Sequence, residues 1–240
     1  MNFAMWEDLL DQLSVDDMIN MVNLGGFQTV GVDSIGKVGT QDSDGTSGLN
    51  DWYIGVYGTA YPTELLIAQT WNKELAEKVG EAEGAEYADC RIFGTYSPAM
   101  NIHRSAFTGR NFEYYSEDGV LGGMIALNTI NGLSTKGVYP YIKHFVMNDQ
   151  ETNRCTMLLT YSAVRNGNDA MLGFASKESN KITNTSSATL VKAMRQACKN
   201  ILYTTVNSGN YTVPDPDAGK MSNMTKLFLE IDITSGVVLV

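Results

Sequence analysis

The sequence predicts an α/β fold, a parallel sheet or barrel with its helices outside. Three observations carry that expectation. Segments of helical period alternate along the chain with short apolar runs, the pattern of βα units. Residues 138–146 are apolar on both faces, as a parallel strand covered by helices must be. Polar, cation-bearing clusters follow the expected strands, where barrels carry their reacting groups. A complete (β/α)8 barrel takes roughly 250 residues, so one would consume this whole chain of 240.

The elements follow in order. Ser14, with Asp17 three residues on, is a helix N-cap ahead of Met18, Ile19, Met21 and Val22, and Gly25-Gly26 closes that helix. Residues 31–58 are glycine-rich and polar without helical period, which predicts a long loop with at most a short strand; such loops carry function. Pro62 is placed as a first-turn proline for 64–88, a helix in one or two pieces. Residues 90–94 read as a strand running into the loop 96–115. Glu117-Asp118 open a helix carrying Val120, Leu121, Met124, Ile125 and Leu127, with Gly132 near its end. After the strand at 138–146, the short apolar run 170–174 reads as a further strand. The clearest helix is 187–208, where Leu190, Val191, Met194, Ala197, Cys198, Ile201, Leu202 and Val206 share one stripe. Pro214 and Pro216 mark the end of the fold.

Composition narrows the function. The chain carries 17 Lys+Arg against 27 Asp+Glu, a net charge of −10, so nucleic acid and anionic membrane surfaces are poor partners. Cys90, Cys155 and Cys198 are too few and too widely spaced for a disulfide framework or a zinc site, and read as reduced thiols of a cytoplasm-like compartment. The first residues have neither the basic nor the apolar region of a signal peptide. Residues 227–240 are apolar but shorter than the roughly 20 residues of a membrane span and interrupted by Glu230 and Asp232. A strand or docked tail and a membrane anchor cut short both fit them.

The two histidines, His103 and His144, each follow an expected strand inside a polar cluster, 101–118 and 143–154. Such a histidine is ordinarily a hydrogen-bonded structural residue. His144, Asp149 and Glu151 match no metal-ligand spacing, and neither metal nor cofactor is expected. A pocket lined by Lys, His, two Arg and an Asp suits a polyol, because fixed charged donors and a carboxylate acceptor bond adjacent hydroxyls strongly. A solvated barrel rim is the rival reading.

The motifs sharpen this. Asn101-Ile102-His103-Arg104, Gly109-Arg110-Asn111-Phe112-Glu113-Tyr114 and Ser116-Glu117-Asp118, followed by Lys143-His144-Phe145, Asn148, Gln150-Glu151 and Arg154, resemble the signature blocks of glycoside hydrolase family 3, the β-glucosidases and β-xylosidases. Asp44-Gly45-Thr46-Ser47-Gly48 resembles that family's loop after the first barrel strand, with Thr46 in place of proline, and Asn166-Gly167-Asn168-Asp169 its segment leading into the eighth strand. The resemblance spans 14–211 and is closest to gut and rumen bacterial enzymes in which an α/β sandwich domain precedes the barrel. It implies a (β/α)8 TIM-type barrel in which Asp44, Arg110, Lys143, His144 and Arg154 bind the non-reducing sugar of a β-linked glucoside or small oligosaccharide, with His103 supporting them from behind.

The same resemblance exposes a gap. A retaining glycosidase needs two carboxyl groups roughly 5 Å apart. The family's nucleophile follows Ser or Thr and precedes Trp or Tyr at the end of the seventh strand, and its acid/base usually comes from a second domain; the sequence matches neither. Asp51-Trp52 imitates the nucleophile dipeptide in the wrong loop, Asp169 falls beyond the nucleophile strand, and Glu113 and Glu117 belong to a structural block. The expectation is therefore a barrel domain over 1–211, about two strands short with a seam near 161–162, followed by a linker and tail over 212–240. It would be inactive alone, either a sugar-binding remnant or a truncated gene product, and open strand edges would favour self-association.

Overall fold

The computed structural model describes residues 3–144, 148–149, 160–172, 182 and 184–212. Its elements are α1 (Phe3–Leu10), α2 (Val15–Asn23), β1 (Gln28–Thr29), β2 (Thr40–Asp44), β3 (Asn50–Asp51), β4 (Val56–Tyr57), α3 (Glu64–Gln69), α4 (Lys73–Asp89), β5 (Gly94–Tyr96), α5 (Gly119–Ser134), β6 (Tyr139–Pro140), α6 (Thr160–Arg165), α7 (Ala188–Val206) and α8 (Gly209–Thr212). The chain is α/β, and its described residues fall into two compact units, one drawn from 1–40 and 156–206, the other from 41–155 and 207–212.

In the first unit α2 begins as its sequence requires. Ser14 Oγ accepts the Asp17 N–H at 3.0 Å while the Asp17 carboxylate accepts the Ser14 N–H at 2.9 Å, a reciprocal capping box. Met18, Met21 and Val22 then pack with Trp6 and Leu10 against the predicted stripe of α7, Leu190 to Leu202. Cys198 is buried in that contact, where burial pushes its thiol up to about 12 and makes it inert. The expected strand at 170–174 is not formed over its described part: the Met171 N–H donates to the Val22 carbonyl at the end of α2 instead of to a sheet. Gly173, Phe174, Cys155, Pro214, Pro216 and the tail 227–240 lie outside the described residues.

The second unit carries a sheet ordered β4-β3-β2-β5-β6. β2, β5 and β6 are parallel, with Asp42 opposite Gly94 and Gly94 opposite Tyr139; β3 and β4 are antiparallel. The segment 31–58, expected as a loop, thus supplies three strands. β2 escaped the sequence reading because its inward residues are polar: Asp42 is fully buried, and its carboxylate accepts from the hydroxyls of Tyr139 and Tyr141.

Other boundaries move for local reasons. Residues 64–88 form two helices, broken where Trp71 takes a positive φ of 54° and Asn72 caps α4; the cap of α3 is Thr63, with Pro62 one residue before it. The strand expected at 90–94 starts only at Gly94. α4 runs on to Asp89, and Arg91, at φ 61°, turns the chain so that the Ile92 N–H closes on the Tyr87 carbonyl. The strand expected at 138–146 shortens to Tyr139–Pro140, and beyond it the Tyr141 N–H still donates to the Thr95 carbonyl at 2.8 Å. Lys143 then bridges to Ala99; Phe145 and Val146 lie outside the described residues. α5 starts as predicted, with Asp118 Oδ1 accepting the Val120 and Leu121 N–H groups.

Candidate functional site

Asp44 ends β2 at the rim where parallel strands present their reacting groups. The chain turns at once: the Gly45 N–H donates to Asp44 Oδ1 at 2.9 Å, and the Tyr87 hydroxyl of α4 donates to the Asp44 carbonyl at 2.8 Å. Gly48 has a φ of +118°, and a Cβ there would stand 2.1 Å from the Thr59 carbonyl, so the loop needs glycine.

Lys143 enters from the other side of the sheet. Its N–H donates to the Pro98 carbonyl at 3.1 Å and its carbonyl accepts the Met100 N–H at 2.6 Å. Its side chain, in a residue 7% exposed, places the ammonium 3.1 Å from Asp44 Oδ1 and 3.4 Å from Glu113 Oε2. The turn Asn111–Glu113 folds Glu113 back under Arg110, whose Nη1 donates to Glu113 Oε1 at 3.2 Å and to His144 Nε2 at 3.2 Å. Arginine has no acceptor, so Nε2 is the receiving atom. On the far side of the ring, Nδ1 lies 3.0 Å from both Tyr114 Oη and Asn148 Nδ2, and Asn101 Oδ1 accepts the His144 N–H at 2.8 Å.

Two cations thus face two carboxylates, which satisfies the rule that buried charge be paired. Among the described residues, Asp44 Oδ2 has no hydrogen-bond partner and its side chain is 34% exposed, while the ammonium donates one hydrogen bond, to Asp44 Oδ1, and pairs with Glu113 at 3.4 Å. A fixed acceptor beside a fixed donor is what two neighbouring hydroxyls require.

Asp44, Arg110, Lys143 and His144 therefore come together. His103 stands behind them, with Nε2 3.0 Å from the Tyr114 carbonyl. Arg154 lies outside the described residues. Arg104 and Asp149 pair at the exposed rim. Glu113, Tyr114, Asn101 and Asn148 were not singled out from the sequence as binding groups, although all four lie inside its two polar clusters. Asp51 is fully buried with Oδ1 accepting the Tyr53 and Ile54 N–H groups, which makes it the former of the β3–β4 turn. Burial pushes its carboxyl above the usual range.

The family described as "Glycosyl hydrolase family 3 N terminal domain" matches residues 44–160. Beta-glucosidase A of Butyrivibrio fibrisolvens is 38% identical over 156 residues, 62% of this chain and 19% of that protein. The crystal structure of a GH3 beta-glucosidase from Bifidobacterium adolescentis is 34% identical, with a TM-score of 0.54 over 60% of this chain and 21% of that one. Beta-glucosidase 3B from Thermotoga neapolitana, solved in complex with glucose, shares the fold at 24% identity, with a TM-score of 0.68 over 86% of this chain and 43% of that one. The chain spans about a fifth of the length of the first curated relatives it matches. Residues 44–160 are a glycosyl hydrolase family 3 N-terminal domain.

Proposed function

We propose that this chain is an incomplete (β/α)8 barrel, about two strands short over residues 1–211 with its seam near 161–162, and that it binds the non-reducing glucosyl or xylosyl unit of a β-linked glucoside or small oligosaccharide. Asp44, Arg110, Lys143, His144 and Arg154 hold the sugar, and His103 supports them through Tyr114. Residues 212–240 are a linker and apolar tail. The observation that carries this reading is the ammonium of Lys143 set between Asp44 and Glu113, with Asp44 Oδ2 and the N–H groups not given to Asp44 left for hydroxyl groups.

Hydrolysis is not expected of the chain alone. Asp44 and Glu113 are both held by Lys143, and Asp51 is spent on its turn. No pair of free carboxyls flanks the site among the described residues, and retaining chemistry needs two. Calorimetry with glucose and gluconolactone tests the reading: binding abolished by Lys143→Ala and Asp44→Ala is expected, and no binding removes it. Aryl β-glucoside should not turn over; robust hydrolysis lost in Asp51→Asn would replace the inactive reading with an active one. The described sheet ends on β4 and β6, and open edges favour self-association, which a monomeric peak in light scattering would exclude.

A further inference from the structure

Glu64 is a carboxylic acid in the interior that the sugar site does not touch. It opens α3 directly after the Thr63 cap and is 2% exposed. Its two oxygens accept the Ala99 N–H at 3.2 and 3.1 Å, and Oε1 lies 3.4 Å from the Ser97 hydroxyl. Ala99 is the residue that bridges to Lys143, through the bonds from Lys143 N–H to the Pro98 carbonyl and from Met100 N–H to the Lys143 carbonyl. Glu64, residues 97–100 and Lys143 therefore hang in series, and the last of them ends in the ammonium between Asp44 and Glu113.

We propose that Glu64 is a positioning residue for the sugar site: its carboxyl fixes residues 97–99, and these set where the Lys143 ammonium stands. The ligand in this inference rests on the sugar-binding reading; the geometry does not. Glu64 acts here as a hydrogen-bond acceptor rather than as a charge. Burial holds its carboxyl well above the usual range, against the opposing pull of the Ala99 N–H and Lys143; Glu83 and Glu113 add to the rise, and the Tyr115 hydroxyl also faces it. The carboxyl accepts the Ala99 N–H through its oxygens whichever form it takes.

The test compares Glu64→Gln, which keeps an acceptor, with Glu64→Leu, which fills the volume and leaves the Ala99 N–H unbonded. Two readouts are taken on the full chain below each variant's melting temperature. One is the Cε–Nζ correlation signal of Lys143 in lysine-labelled protein, assigned with Lys143→Arg; the other is the Kd for gluconolactone. In Glu64→Gln the signal should stay in place and Kd should change by less than about threefold. In Glu64→Leu the signal should move and Kd should rise by about tenfold or more, the scale of one lost buried acceptor. An unmoved signal and unchanged Kd in Glu64→Leu overturn the inference, as does equal damage from both substitutions. If Glu64→Leu does not fold, Ala99 amide exchange in the unaltered chain decides, with protection expected and its lack contrary. A Lys143 signal that responds as described in a chain that binds no sugar leaves the positioning role standing and removes the sugar reading.

Discussion

Lys143 Nζ donates to Asp44 Oδ1 at 3.1 Å across 99 residues of sequence. The same ammonium is the nearer cation for Glu113 Oε2, whose other oxygen Arg110 holds. Replacing Lys143 by methionine keeps the unbranched stem, one atom shorter, and removes the charge. Asp44, one-third exposed, can rehydrate, whereas Glu113 is left in the interior with Arg110 alone. Breaking a buried pair costs about 3 kcal/mol or more, so urea unfolding of Lys143→Met should show a loss near 3 kcal/mol. Adding Glu113→Gln should recover part of it; further loss in the double variant would mean that Glu113 is stabilised by Arg110 without help from Lys143.

The Tyr87 hydroxyl fixes the other side of Asp44. It donates to the Asp44 carbonyl and accepts from Thr95 Oγ1 at 2.9 Å, linking α4 to the ends of β2 and β5. Tyr87→Phe leaves both partners without water to replace the hydroxyl, because the site is buried. The expected cost is about 1–2 kcal/mol in the midpoint of urea unfolding at unchanged slope. A change in slope would point instead to an altered unfolded state.

What the sequence revealed follows from which interactions are local. α2 and α5 announce themselves through caps three residues from their partners, Ser14 with Asp17 and Asp118 with Leu121, and α7 through an apolar stripe. β2 had no such signal. Its run Thr40–Asp44 is polar, and Asp42 is tolerable inside only because Tyr139 and Tyr141 reach it from 97 and 99 residues away. The same limit applied to the site. Its cations and Asp44 were legible as motif blocks, but nothing local marks Glu64 or Glu83 within the helical segment 64–88, and only packing shows them buried.

α4 and α5 cross backbone to backbone. A Cβ on Gly132 would stand 2.1 Å from the Glu77 carbonyl, and one on Gly80 2.1 Å from the Thr129 carbonyl. Alanine has the better helix propensity, by about 1 kcal/mol, so an exposed helix would gain from the change. Here the obstacle is backbone, which cannot rotate aside. Gly132→Ala should therefore destabilise the chain by about 1–3 kcal/mol. Gly123, on the same helix with open space around its Cα, is the control, and Gly123→Ala should raise the melting temperature slightly.

Glu83 supplies a pH dependence of definite sign. It is 5% exposed on α4, and burial first, then the neighbouring Glu86 carboxylate, pushes its carboxyl up from 4.5 to about 7. The folded chain therefore holds a proton that the unfolded chain releases near 4.5. The contribution to stability is complete below that pH, declines as the pH rises towards 7, and is absent above it. A shift of this size corresponds to something on the order of 3 kcal/mol. Glu83→Gln mimics the protonated form and cannot ionise. Its urea stability should exceed that of the unaltered chain by up to that amount at pH 8, and the difference should vanish near pH 4. Because Glu83 also adds to the rise of Glu64, the comparison is made in a Glu64→Gln background, where the difference between the two curves isolates Glu83. Parallel curves from pH 4 to 8 would show that its carboxyl ionises in the folded chain as it does in the unfolded one.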